Sequence, residues 1–209
     1  MSATPTPTTP PAHLSGGPLN ILLQHDHWAT GQLLAACAPL TPAQFHQRFE
    51  MGLGSLHNNI VHTIGAKLRW ADRIAQRNIA ASIEGAWPTH IFTDAAANPP
   101  TLGANGKPEY TLAQLSSLEL TAHQAITAVA ADAARGGTLG KVLPIPLADG
   151  RTYYLSPAGA LAHVATHGVH HRAQSINMLR QIYKPLGKDA PKLPMSSVME
   201  WQTIGEPMV

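Results

Sequence analysis

Apolar residues recur at helical intervals in four long stretches of the chain. Between Asn20 and Ala38 the positions Ile21, Leu22, Trp28, Leu33, Leu34 and Cys37 trace one stripe, which Pro39 ends. Thr41 followed by Pro42 has the form of an N-cap with proline in the first helical position, which predicts a short turn through Phe45. Ser55 then caps a second long helix reaching about Arg77, with Leu56, Ile60, Val61, Ile64, Leu68 and Ala71 on its main apolar arc. A capping box at Thr111 and Gln114 opens a third helix, carried by Leu112, Leu115, Leu118, Ala122, Ile126 and Val129 and closed before Gly136-Gly137. Ser156-Pro157 opens a fourth, running to about Tyr183.

Between these stretches the pattern changes. Glu84 to Tyr110 contains Pro88, Pro99, Pro100 and Pro108 among Gly and Asn, and reads as a long irregular connection of the kind that often carries function. Val142, Leu143, Ile145 and Leu147 precede Asp149-Gly150, and Thr152 to Leu155 follow it, which predicts a small β-hairpin. Four long helices with little sheet define an all-α fold, a four-helix bundle over residues 18–184 with long inter-helix loops and a hairpin before the last helix. Met1 to Gly17 is too rich in Thr and Pro to hold a regular backbone and is expected to be a flexible arm. Residues 185–209 form a Pro- and Lys-containing tail whose Trp201 is expected to pack back on the bundle.

Composition narrows the class. Over 209 residues the chain is 44% hydrophobic and only 12% charged, with a net charge of +2, which suits a globular core and gives no footprint for general nucleic-acid binding. No apolar run approaches the roughly 18 residues of a membrane span, and the start of the chain lacks the basic and apolar regions of a secretory signal. One cysteine, Cys37, can neither close an intrachain disulfide nor build a multi-cysteine metal site, so a cytoplasmic protein is expected. Histidine, at 12 copies, equals Asp and Glu together. That excess is the chemical clue.

The fourth helix carries His163, His167, His170 and His171. At about 100° per residue, His163, His167 and His171 fall within roughly 80° of one another, one turn above the next. Neutral imidazoles four residues apart on a helix can aim ring nitrogens at one divalent ion. Ala160, Val164, Met178 and Ile182 flank the stripe and turn His167 and His171 toward the bundle, whereas His163 and His170 read as exposed or hydrogen-bonded packing groups. A third ligand must come from another helix. On the second helix His57 lies inside the apolar arc and is preferred by wheel geometry, while His62 shares a narrower stripe with Ala66 and Trp70; periodicity leaves both open. His25 and His27 lie about 200° apart and cannot act together. Glu119 and His123 lack the repeated Glu-x-x-His of di-iron bundles, and Arg69, Arg73 and Arg77 read as a solvated helix face. No GxSxG, Walker-type or GxGxxG pattern occurs.

The stretch Gly54-Ser55-Leu56, the run Val61-His62-Thr63-Ile64-Gly65-Ala66, then Trp70, and far downstream His163 through Gln174, resemble the DinB/YfiT-like superfamily of metalloenzymes, with a weaker match at Trp28-Ala29. The most specific element is the HxxxHR-x-Q run combined with an upstream helix histidine. The resemblance covers about Asn20 to Tyr183 and implies a four-helix bundle with a three-histidine metal site on His62, His167 and His171. It further implies a divalent ion, zinc or nickel foremost and iron next, a low-molecular-weight thiol cosubstrate, and a homodimer through a bundle face. Gln174, Arg172, Trp28 and Trp70 are expected beside the ligands or the substrate, Arg172 orienting an acidic group. Two positions depart from the family's pattern: an acidic residue often stands where this chain has Lys67, and glycine where it has Ala173. The lysine is expected to alter pocket charge and therefore substrate choice.

Three neutral histidines leave a divalent ion an open position for water or a thiol, whose acidity the metal raises. No site cysteine is available as nucleophile, so on the thiol route the sulfur must come from a diffusible cosubstrate. The resemblance implies, as the expected function, a metal-dependent, low-molecular-weight-thiol-dependent S-transferase acting on a small-molecule substrate, with no nucleic-acid or membrane partner. A metal-dependent hydrolase and a non-catalytic metal- or ligand-binding bundle are the alternatives.

Overall fold

The computed structural model describes residues 17–77, 101–102, 108–146 and 150–204. The expected flexible arm falls outside the described residues up to position 16, as do most of the Glu84–Tyr110 connection and the Asp149 turn position. The described elements are α1 (Pro18–Cys37), α2 (Pro42–Phe45), α3 (Leu56–Ile74), β1 (Thr101–Leu102), β2 (Pro108–Glu109), α4 (Leu112–Arg135), β3 (Leu143–Pro146), β4 (Thr152–Leu155), α5 (Pro157–Tyr183), a 3₁₀ segment (Lys184–Asp189) and α6 (Val198–Ile204). The chain is mostly helical, and four of its helices are long, as the periodicity predicts.

Local chemistry sets the boundaries. The Ser55, Thr111 and Ser156 hydroxyls accept from the backbone N–H of Asn58, Gln114 and Gly159, three residues on. At Thr41 and Thr111 the glutamine three residues later returns a bond to the cap's own N–H, completing a capping box. α3 stops at Ile74, short of the expected Arg77, because Gln76 turns left-handed (φ 55°) and the Arg77 N–H reaches back to the Asp72 carbonyl at 2.9 Å. The hairpin pairs Leu143 with Leu155 and Pro146 with Thr152, antiparallel. The long connection is not wholly irregular: β1 and β2 form a short antiparallel pair, Thr101 opposite Glu109. The C-terminal segment is likewise more regular than a tail, with α6 seating Trp201 against Trp28 at 6.5 Å between ring centroids.

α3 packs against α4 and α5, and α1 packs against the same two, so the four long helices form a square with α1 and α3 at opposite corners. Two apolar clusters fill it. One joins Leu33 and Cys37 to Leu56, Ile60, Ile64, Leu115, Met178 and Leu179. The other joins Leu23 to Ala71, Ile126, Val129, Leu161 and Val164. Reading residue numbers from cluster to cluster gives the directions: α3 and α4 run parallel to each other, and α1 and α5 run opposite to both.

Between the clusters each long helix contributes one buried charge. Asp26 of α1 is 2% exposed, Lys67 of α3 2%, Glu119 of α4 1% and Arg172 of α5 1%. Lys67 Nζ lies 2.7 Å from Asp26 Oδ2 and 2.5 Å from Glu119 Oε1, and the Arg172 guanidinium pairs with the other Asp26 oxygen. Asp26 is held down to about 2 by Lys67 and Arg172, which outweigh the opposing cost of burial. The same carboxylates raise Lys67 against the desolvation that would lower it. Gly168 makes room for this layer, since a Cβ there would overlap the Asp26 carboxylate and the Arg172 side chain. Among the described residues no helix is long and apolar enough to cross a membrane.

Candidate metal centre

α5 winds His163, His167 and His171 up the side that faces α3, and α3 answers with His62. His62 Nε2 and His167 Nε2 lie 3.0 Å apart. Ring centroids within the set of His62, His167 and His171 are 4.4 to 4.9 Å from one another, and one ligand nitrogen from each lies within 4.8 Å of the other two. All three are half-buried along the α3–α5 seam. A tetrahedral ion with bonds of about 2.0–2.1 Å holds neighbouring nitrogens about 3.3 Å apart. The His62–His167 spacing is already close to this, and the widest separation of 4.8 Å closes with about 1.5 Å of ring movement. The donor set could hold a divalent ion.

The rings are kept in the form a metal needs. Burial pushes His167 down to about 3, helped by the positive fields of His171, His62, His163 and Arg69. Burial likewise takes His62 to about 4, with His171 and Arg69 adding to it. His171 is lowered chiefly by burial, against its hydrogen bond to the Gln174 amide oxygen, which raises it. Neutral imidazole, the ligating form, therefore prevails at pH 7.

His57 goes elsewhere, which separates the two histidines that periodicity could not. Its Nε2 accepts from the Tyr110 N–H at 3.1 Å, and its ring stacks on His46 at 4.5 Å and meets Phe45 edge-on. The apolar arc that carries His57 points into the bundle, whereas the cluster lies on the seam reached by the narrower stripe of His62, Ala66 and Trp70. Trp70 is on that seam, edge-on to His163 at 5.3 Å, with the Arg73 guanidinium 4.8 Å above its ring. His163 is exposed and stands 5.4 Å from His167. Gln174 Oε1 lies 2.9 Å from His171 Nδ1, and its Nε2 lies 2.9 Å from the exposed His170.

Several expectations need correction. Arg172, one residue past His171, is turned about 100° off the seam into the core. The acidic group it orients is Asp26, with Thr30 Oγ1 at 3.3 Å, and not a substrate. Trp28 packs among His25, Ala29 and Trp201 between α1 and α6. Lys67 does not charge a pocket, because it is buried between Asp26 and Glu119. Arg69 and Arg73 are half-buried rather than solvated, and only Arg77 of that series is exposed, paired with Asp72 at 2.7 Å. Glu119 and His123 belong to a separate group on the α1–α4 seam, where His27 stacks on His123 at 4.0 Å and its Nδ1 lies 3.1 Å from Glu119.

The sequence places neither of two residues that lie near the cluster, Arg69 and Asn59, at the site. Arg69 sits two turns beyond His62 on the same face of α3, a seven-residue spacing that could have flagged it. Asn59, fully buried, approaches Gln174 at 3.4 Å; of the two amides between Leu56 and Ile60 it is the one nearer the apolar arc, and that was its only signal.

Against known proteins, the model of the DinB family matches residues 15–206, and the chain belongs to that family. No curated protein matches it in sequence.

Proposed function

We propose that this DinB-family protein is a metal-dependent S-transferase that joins a low-molecular-weight thiol to a small electrophile. The observation that carries the reading is the convergence of His62, His167 and His171 on one point of the α3–α5 seam. Zinc or nickel, or else iron, suits three imidazoles. The ion, when bound, supplies Lewis acidity that makes a thiolate available near neutral pH. The neutral rings of His62 and His167 present bare nitrogens to it, and three protein ligands leave room for a reactant. Arg69 adds positive potential on the same side, which favours an anionic sulfur or an anionic substrate group.

The chain's own thiol is unsuited to the task. Cys37 is fully buried, and burial pushes its ionisation up to about 12, so the attacking sulfur is that of a diffusible thiol. The thiol loses its proton to solvent, its sulfur forms a bond to the electrophilic carbon, and the leaving group departs with the electron pair.

Metal analysis of untagged protein, repeated for His167→Ala and His171→Ala, tests this reading together with a screen of thiol and electrophile pairs. About one equivalent of metal, lost in both variants, with thiol-dependent turnover is expected. Metal content that is unchanged in the variants removes the basis. Metal with water-dependent cleavage and no thiol requirement makes the protein a hydrolase, and chelator-sensitive melting without turnover makes it a binding module.

A further inference from the structure

The group behind His171 has a direction, and the direction starts at a backbone amide. The Leu53 N–H can only donate, and it donates to Asn59 Oδ1 at 2.7 Å. That contact fixes which end of the Asn59 amide faces the loop, so the NH₂ end must face α5. There it approaches Gln174 Oε1 and Ser175 Oγ, each at 3.4 Å, and the His171 carbonyl at 3.5 Å. Gln174 Oε1 therefore faces two donors. One is Asn59 Nδ2, and the other is His171 Nδ1, 2.9 Å away. The opposite end of the Gln174 amide, an NH₂ that can only donate, lies 2.9 Å from His170 Nε2, which agrees with the same orientation.

A neutral imidazole carries one proton, and the nitrogen that holds it is set by the hydrogen bond the other makes. With a carbonyl-type oxygen at Nδ1, His171 is protonated there and its Nε2 lone pair is bare. We infer that Asn59 is a positioning residue: with Gln174 it forms an amide latch, seated on the Leu53 N–H, that selects the Nδ1–H tautomer of His171 and frees Nε2 for an ion. This rests on the metal reading above for its purpose but not for its geometry.

The loop is shaped for the latch. Gly52 adopts φ +54°, and a Cβ there would come within 2.7 Å of both Asn59 Oδ1 and Gln174 Oε1. Any side chain at this position would push the two amides apart. Asn59 is 0% exposed, so water does not compete for its donors.

Ring ¹⁵N spectra of histidine-labelled, metal-free protein at pH 7.5 read the tautomer directly, and zinc titration of the same samples reads its consequence. In the parent protein His171 should show Nδ1 protonated and Nε2 bare. Asn59→Leu should shift His171 toward the Nε2–H form and weaken zinc by about 10- to 100-fold, the usual effect of losing a group that orients a ligand. Gln174→Glu, which keeps an oxygen at Nδ1, should retain both the tautomer and the zinc affinity. If Asn59→Leu does not fold, Gln174→Met removes the acceptor that Asn59 orients, on the half-buried helix face, and carries the test. An unchanged tautomer in the amide-deleting variant overturns the latch even if zinc binds. A tautomer that shifts in a protein that takes no zinc leaves the latch standing and overturns the metal reading instead.

Discussion

Replacing Lys67 by methionine probes the charged layer most directly. Methionine keeps much of the length and volume but removes the cation that bridges Asp26 at 2.7 Å and Glu119 at 2.5 Å. With all four groups ionised, the two carboxylates balance Lys67 and Arg172. The variant retains both carboxylates but one cation, leaving an uncompensated negative charge among side chains only 1–2% exposed. Breaking a buried pair from one side costs about 3–5 kcal/mol. Against a total stability of about 5–15 kcal/mol that is a large fraction, and at about 2–4 °C per kcal/mol it lowers Tm by about 6–20 °C. Glu119→Gln added to Lys67→Met restores neutrality, so the double variant should be more stable than Lys67→Met alone, a coupling opposite in sign to additive damage. Urea unfolding followed by circular dichroism at pH 7.5 measures the parent, Lys67→Met, Glu119→Gln and the double variant. A cost below about 1 kcal/mol for Lys67→Met, or additive losses in the double variant, would refute the claim that these charges act as one balanced set.

Other outcomes follow from the same geometry. Gly168→Ala places a methyl against Asp26 and Arg172 and should cost about 1–3 kcal/mol, read as a fall in the urea midpoint; an unchanged midpoint contradicts the close approach. Metal-free protein should lose stability as pH falls. His167 at about 3, and His62 and His123 at about 4, lie below the ordinary 6.5, so the unfolded chain binds the extra protons first; stability is full above pH 6.5 and declines toward pH 4. Urea midpoints that are flat between pH 7.5 and 5 contradict this. Cys37 should resist a thiol-specific reagent in native buffer and react only on unfolding, because it is buried and raised to about 12.

The helices were legible because their signals are local: a hydroxyl cap three residues before a free N–H, a proline just inside the start, and a period near 3.6. His167 and His171 were legible for the same reason, as one spacing on one helix. His62 was not, since choosing it over His57 requires knowing that the ion site lies on the α3–α5 seam and not in the bundle centre; only the resemblance favoured it. Asp26, Lys67, Glu119 and Arg172 lie on four different helices, and each reads alone as an ordinary charged residue. Arg172 was misjudged on that account: its neighbour His171 suggested the seam, but one residue of helix turns it into the core.

The parallel run of α3 and α4 makes one connection obligatory. A chain leaving α3 must travel back along a helix of 19 residues, about 28 Å, before α4 can begin in the same direction. Extended backbone covers that in about nine residues, and residues 75–111 provide about four times as many. A return strap trimmed to a dozen residues could therefore still reach. Replacing it with a tight turn would instead reverse the sense of α4, carry Glu119 to a different height, and leave Lys67 without one of its two carboxylates.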